Sequence, residues 1–100
     1  MNFINEPIPL VDEIETNINS TFCSVDVCNK LILKTRLTLT DKQTLLANSK
    51  HLEVMLNKPW FVGYLEPEQL QKITETFNNS QAYILANEIT DENHLRNSDM

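Results

Sequence analysis

The sequence predicts a mainly α-helical single domain: a small bundle of three to five short helices with an extended N-terminal arm and a polar C-terminal tail. Three observations carry this prediction. Leu, Ile and Phe recur at spacings of three and four through much of residues 10–88, which places them on one face of a helix. Helix start and stop residues punctuate that pattern at Thr40, Pro59 and Pro67. The length of 100 residues, with 41% hydrophobic and 22% charged residues, suits one modest core and not a core plus a deep substrate cleft. The organisation expected is an arm at 1–9, a helical core at 10–88 and a tail at 89–100.

In the arm, Pro7 and Pro9 flank Ile8, fixing φ and removing amide donors, so Met1 to Pro9 reads as extended. Phe3, Ile4 and Ile8 share no helical face and are candidate contacts to neighbouring subunits, with folding back onto the core as the alternative. From Leu10, apolar residues recur at Leu10, Ile14, Ile18 and Phe22, and Asp12, Glu13 and Glu15 sit where the helix dipole favours acids. A helix over 10–20 is expected, because the polar run Asn17, Asn19, Ser20 and Thr21 weakens the pattern beyond it.

Residues 24–40 read two ways. As a helix, Ser24 is an N-cap and Val25, Cys28, Ile32 and Thr35 share a face. As a strand, Leu31, Leu33, Leu37 and Leu39 alternate with polar residues. The helix over 25–36 is preferred, with 36–40 extended. Thr40-Asp41-Lys42-Gln43 then fits a capping box, in which the Thr hydroxyl and the Gln side chain satisfy each other's exposed amides. The helix it opens, 41–57, carries Leu45, Leu46, Leu52, Met55 and Leu56, and Pro59 forces it to stop near Asn57.

Gly63, the only glycine, lies in the aromatic connection Lys58 to Leu65, where it is expected to supply a backbone geometry that other residues resist. Pro67 suits a first helical position, and Leu70, Ile73 and Phe77 continue one face, giving a helix over 67–78. Asn78-Asn79-Ser80 looks like a stop and a new start, followed by a last helix or an edge strand at Ala82 to Ala86. The helices 41–57 and 67–78 are expected to pack antiparallel through Leu45, Leu52, Leu56, Leu70, Ile73 and Phe77, since short connections join neighbouring helices. Asp91 to Met100 is a polar tail.

The net charge of −6 argues against nucleic-acid binding, which depends on neutralising phosphates. Its distribution is uneven. Residues 1–26 carry five acids and no base, 27–58 carry six bases and two acids, and 59–100 carry seven acids and two bases. A basic middle between acidic ends suits head-to-tail docking on copies of the chain, or ends that fold back over the middle within one molecule. No run of about 18 apolar residues occurs, and the first residues lack the basic flank and apolar block of a secretory signal, so no membrane association and cytoplasmic synthesis are expected.

No catalytic, cofactor-binding or metal-binding residues are expected. Cys23 and Cys28 are too few for a disulfide framework, are wrongly spaced for a zinc pair, and read as unreactive free thiols. His51 and His94 are isolated in sequence, and His51 reads as a surface or boundary residue. The carboxylate pair Glu66 and Glu68 is what a helix start already favours, and one glycine cannot build a phosphate-cradling loop. The acceptor patterns at Asn19 and Asn78 carry no weight without a signal peptide.

The segment Pro59-Trp60-Phe61-Val62-Gly63-Tyr64-Leu65 is the place where function is expected to show, because Trp and Tyr are enriched at binding hot spots. Trp60, Phe61 and Tyr64 are therefore candidate interface residues. The alternative is that Trp60 and Phe61 plug the end of the core, and both hold if one ring points each way. About half of the chain, LTLTDKQTLLANSKHLEVMLNKPWFVGYLEPEQLQKITETFNNSQAYI, pairs a capped helix, a short aromatic link and a second helix opening on Pro-Glu-Gln. In this it resembles small helical proteins found among the structural genes of tailed bacteriophages. The resemblance implies a non-enzymatic virion or assembly component and transfers no functional residue. The expected function is thus a structural protein that binds other protein subunits, copies of itself included. The alternative is a small acidic regulatory or inhibitor module that occupies a basic protein surface.

Overall fold

The computed structural model describes residues 9–89. Of these, 78% are helical and none is in a strand. The helices are α1 (Val11–Leu31), α2 (Leu39–Leu56), the short α3 (Pro59–Val62) and α4 (Pro67–Ala86). The mainly α architecture agrees with the sequence, while several boundaries do not. The arm at 1–8 and the tail from residue 90, with Phe3, Ile4, Ile8 and His94, lie outside the described residues.

One long helix, α1, replaces the two expected over 10–20 and 25–36. The polar residues that suggested a break bond back onto their own helix. Thr16 Oγ1 donates to the Asp12 carbonyl (3.0 Å), Asn17 Nδ2 to the Glu13 carbonyl (2.8 Å) and Thr21 Oγ1 to the Asn17 carbonyl (2.7 Å). The inward stripe is also not the spacing of four from Leu10, because such a row drifts by about 40° per step around the axis. It runs Ile14, Ile18, Thr21, Val25 and Cys28, alternating four and three, so it passes through a threonine. Leu10 is 73% exposed and precedes the helix, its amide donating to Glu13 Oε1 at 3.1 Å.

The helix α2 starts two residues earlier than expected. The capping box is Thr38 with Asp41: Thr38 Oγ1 accepts from the Asp41 amide (3.0 Å), and Asp41 Oδ2 accepts from the Thr38 amide (3.1 Å). Two boxes overlap in this sequence. The earlier one wins because its carboxylate makes charge-assisted bonds, to the Thr38 amide and to Lys34 Nζ at 2.9 Å. Residues 32–38 form the connection, so the segment expected to be helical to 36 ends at Leu31.

Pro59 ends α2 as expected and opens α3 at its first position. Gly63 has an ordinary φ of −68° and so supplies no unusual geometry; a Cβ there would meet the Pro59 carbonyl oxygen at 3.1 Å. The one positive φ among the described non-glycine residues is at Glu88, 54°. Asn78 to Ser80 stops nothing, since Ser80 falls on the buried stripe Ile73, Thr76, Ser80 and Ile84, and burial outweighs a local penalty of a few tenths of a kcal/mol. α4 ends in a Schellman motif. The Ile89 amide bonds to the Ile84 carbonyl (3.0 Å), the Glu88 amide to the Leu85 carbonyl (3.2 Å), and the Ile84 and Ile89 side chains are both buried.

The three long helices run up, down and up around one core. The connection from α1 to α2 is short, and Ser24 on α1 meets His51 on α2. Asn29 on α1 reaches Thr76 on α4, and Gln81 on α4 reaches Ser49 on α2. Lys42, near the start of α2, shares a groove with Tyr83 and Asn87 at the end of α4, so these two helices are antiparallel. Leu45, Leu52 and Ile73 are fully buried, and Leu56 and Phe77 pack half-buried against them; Leu70 is half-buried.

Candidate functional site

The aromatic connection divides its rings. Phe61 is fully buried and closes the lower end of the core. Trp60 is half-buried against it, edge to face, with ring centroids 6.0 Å apart and planes at 88°. Lys58 Nζ lies 5.9 Å from the Trp60 ring centroid. Tyr64 is 42% exposed. Phe61 is thereby corrected from a candidate interface residue to a core residue, because α3 turns it inward, while Trp60 and Tyr64 reach solvent.

Two grooves flank the first half of α1 at this end. One, of ≈ 450 Å³, is lined by Pro9, Asp12, Glu13, Thr16, Asn17 and Trp60. The other, of ≈ 330 Å³, is lined by Glu15, Ile18, Asn19, Tyr64, Glu66 and Gln69. Val11, the first residue of α1, and Leu10 before it are 54% and 73% exposed. Carboxylates over aromatic and aliphatic walls can hold a basic side chain by charge and its methylene stem by contact.

Sequence reasoning missed a buried polar layer. Ser24 Oγ and His51 Nδ1 are hydrogen bonded at 2.8 Å, although the residues are 27 apart in sequence. A hydroxyl and an imidazole in contact are two parts of a nucleophilic site. Here Ser24 is buried in mid-helix, where backbone amides are spent on the helix itself and cannot form an oxyanion hole. Among the described residues no carboxylate bonds to the ring, and the Ser24–His51 bond ties α1 to α2. Cys28 is buried beside Ser80, and burial pushes its thiol up, the neighbouring Ser80 hydroxyl opposing. Cys23 is exposed.

Among the described residues no three His, Cys, Asp or Glu side chains gather to hold a metal ion, and no helix is long and apolar enough to cross a membrane. Among the described residues the class defined is a mainly α three-helix bundle with a short fourth helix at its lower end. No protein-family model, curated protein or solved structure matches the chain.

Proposed function

We propose that this chain is a non-enzymatic structural or assembly protein that binds other protein subunits. The observation that carries the reading is the lower end of the bundle, where Leu10, Val11 and Tyr64 stay exposed beside two acid-rimmed grooves. Apolar patches rimmed by charge are the usual form of a protein-binding surface. The likeness of the helix, aromatic link and helix to small structural proteins of tailed bacteriophages supports a virion or assembly component. The burial of Ser24, the hydroxyl bonded to His51, supports a role without catalysis.

Size-exclusion chromatography with light scattering on the full chain, alone and with candidate subunits, tests the proposal. Wild type elutes in complexes of more than one subunit, and a Leu10→Ser, Tyr64→Ser double variant with unchanged circular dichroism loses them. A strict monomer over a wide concentration range that binds one basic protein tightly replaces the assembly reading with that of an acidic inhibitor.

A further inference from the structure

The up, down, up topology gathers an excess of acids at one end of the bundle and an excess of bases at the other. The starts of α1 and α4 lie together and carry Asp12, Glu15, Glu66 and Glu68, all exposed, and the end of α2 brings one base, Lys58, to the same end. The end of α1, the connection after it and the start of α2 lie at the other end. They carry Lys30, Arg36 and Lys42, besides the Lys34 already paired with Asp41, with Glu88 just past α4 as an acid at the same end. An α1 of 21 residues separates the ends by about 30 Å. That is more than three Debye lengths of ~8 Å at physiological ionic strength, so within the helical bundle the two blocks do not neutralise each other. The apolar side chains follow the same division. Leu33 and Leu85, 84% and 75% exposed, stand at the basic end, and Leu10 and Val11 at the acidic end.

From this arrangement we infer that the chain associates head to tail with a second copy, the basic end of one bundle docking on the acidic end of the next. The inference rests on the assembly reading above and names its partner and geometry. Each end has exposed apolar side chains and an excess of one sign of charge, so like ends repel and unlike ends align. Such a contact is heterologous, and repetition gives a ring or an open chain of subunits. Three helices of ~10–12 Å diameter expose on the order of 300 Å² of cross-section at an end. This is below half of the ~800 Å² per partner of a standard interface, so the contact is weak and depends on salt.

Sedimentation velocity of the full chain from about 10 μM to about 1 mM, in low and high salt, reads the contact. The expected result is a mass that climbs with concentration in low salt and returns to the monomer in high salt. Arg36→Glu with Lys42→Glu weakens self-association at least about tenfold, as does Glu15→Lys with Glu68→Lys, and mixing the two double variants restores it. Circular dichroism confirms that each variant is folded. Association that ignores salt and both reversals overturns the end-on contact and leaves the assembly reading intact. A wild type that stays monomeric also overturns it. If removal of residues 90–100 then releases association, the basic end belongs to the chain's own acidic tail.

Discussion

Ser80 lies fully buried on α4, and its Oγ meets no hydrogen-bond partner of full geometry among the described residues, only the soft Cys28 thiol beside it. Replacing Ser80 with alanine is therefore expected to stabilise the protein, against the usual trend for a core substitution. An unpaired buried hydroxyl costs about 1–3 kcal/mol in lost hydration. Alanine adds up to about 0.5 kcal/mol of helix propensity. Removing one oxygen leaves a void of about 10 Å³, which costs only about 0.2 kcal/mol at ~24 cal/mol per Å³. The net gain is about 1–3 kcal/mol, or roughly 4–24 °C in Tm for a domain of this size. Urea unfolding followed by far-UV circular dichroism reads it as a higher midpoint with an unchanged slope. Ser49→Ala is the matched control: Ser49 is equally buried on α2, but its Oγ accepts from Gln81 Nε2 at 3.2 Å. There the same chemical change strands the Gln81 donor and lowers stability by about 0.5–1.5 kcal/mol. A midpoint that falls in Ser80→Ala by as much as in Ser49→Ala would refute the reasoning, since it would mean that the Ser80 hydroxyl is paired, with the Cys28 thiol as the nearest partner.

Thr38→Ala should cost about 1 kcal/mol by removing the α2 cap, whereas Thr40→Ala should be nearly neutral, and urea midpoints of the two decide which threonine caps. Glu88→Gly should add up to about 1 kcal/mol, because Glu88 holds a left-handed φ of 54° that glycine adopts without a Cβ clash; a lower thermal midpoint would sink the idea. Lys34 and the Thr38 amide lower the Asp41 pKa, so its share of stability is present above the usual carboxylate range and is lost as pH falls below it. Asp41→Asn should accordingly flatten the acid limb of stability against pH. A thiol reagent should label Cys23 quickly and Cys28 only on unfolding, because burial keeps the Cys28 thiol protonated, and fast labelling of both in native protein would contradict that placement.

Helix content was legible from periodicity, since Leu45, Leu52 and Ile73 sit where the spacing of apolar residues puts them. The boundaries failed wherever small polar residues were taken as breaks. Thr21, Ser24, Ser49, Thr76 and Ser80 all lie inside the bundle, on faces that an apolar count alone leaves blank. They fit because small side chains let three helices approach closely, and most find a partner on their own or a facing helix. A heptad-like reading of α1 that admitted Thr21 as an inward position would have joined the two expected helices into one. The choice between Thr38 and Thr40 turned on Lys34, seven residues from Asp41, which no local capping pattern contains.

The site was legible in kind and not in arrangement. Trp60, Phe61 and Tyr64 stood out by composition, yet which ring faces inward depends on α3, a four-residue helix whose rotation is set by packing against α2 and the core. The Ser24 and His51 pair was invisible because a contact across 27 residues depends on the register of two helices, and no spacing rule reports that. The charge blocks differ in this respect. Each was plain in the sequence, but a basic middle between acidic ends is compatible with ends folded over the middle as well as with a polar molecule. The turn at residues 32–38 and the connection at 57–66, which includes α3, are too short to carry the chain back along the bundle before the next helix starts, so α1 and α4 must start at the same end and α2 at the other. Connection length thus converts a pattern along the chain into a separation of charge across about 30 Å of bundle. A longer connection after α2 that allowed α4 to reverse would bring Glu66 and Glu68 beside Lys42, and the complementarity between the two ends would be lost.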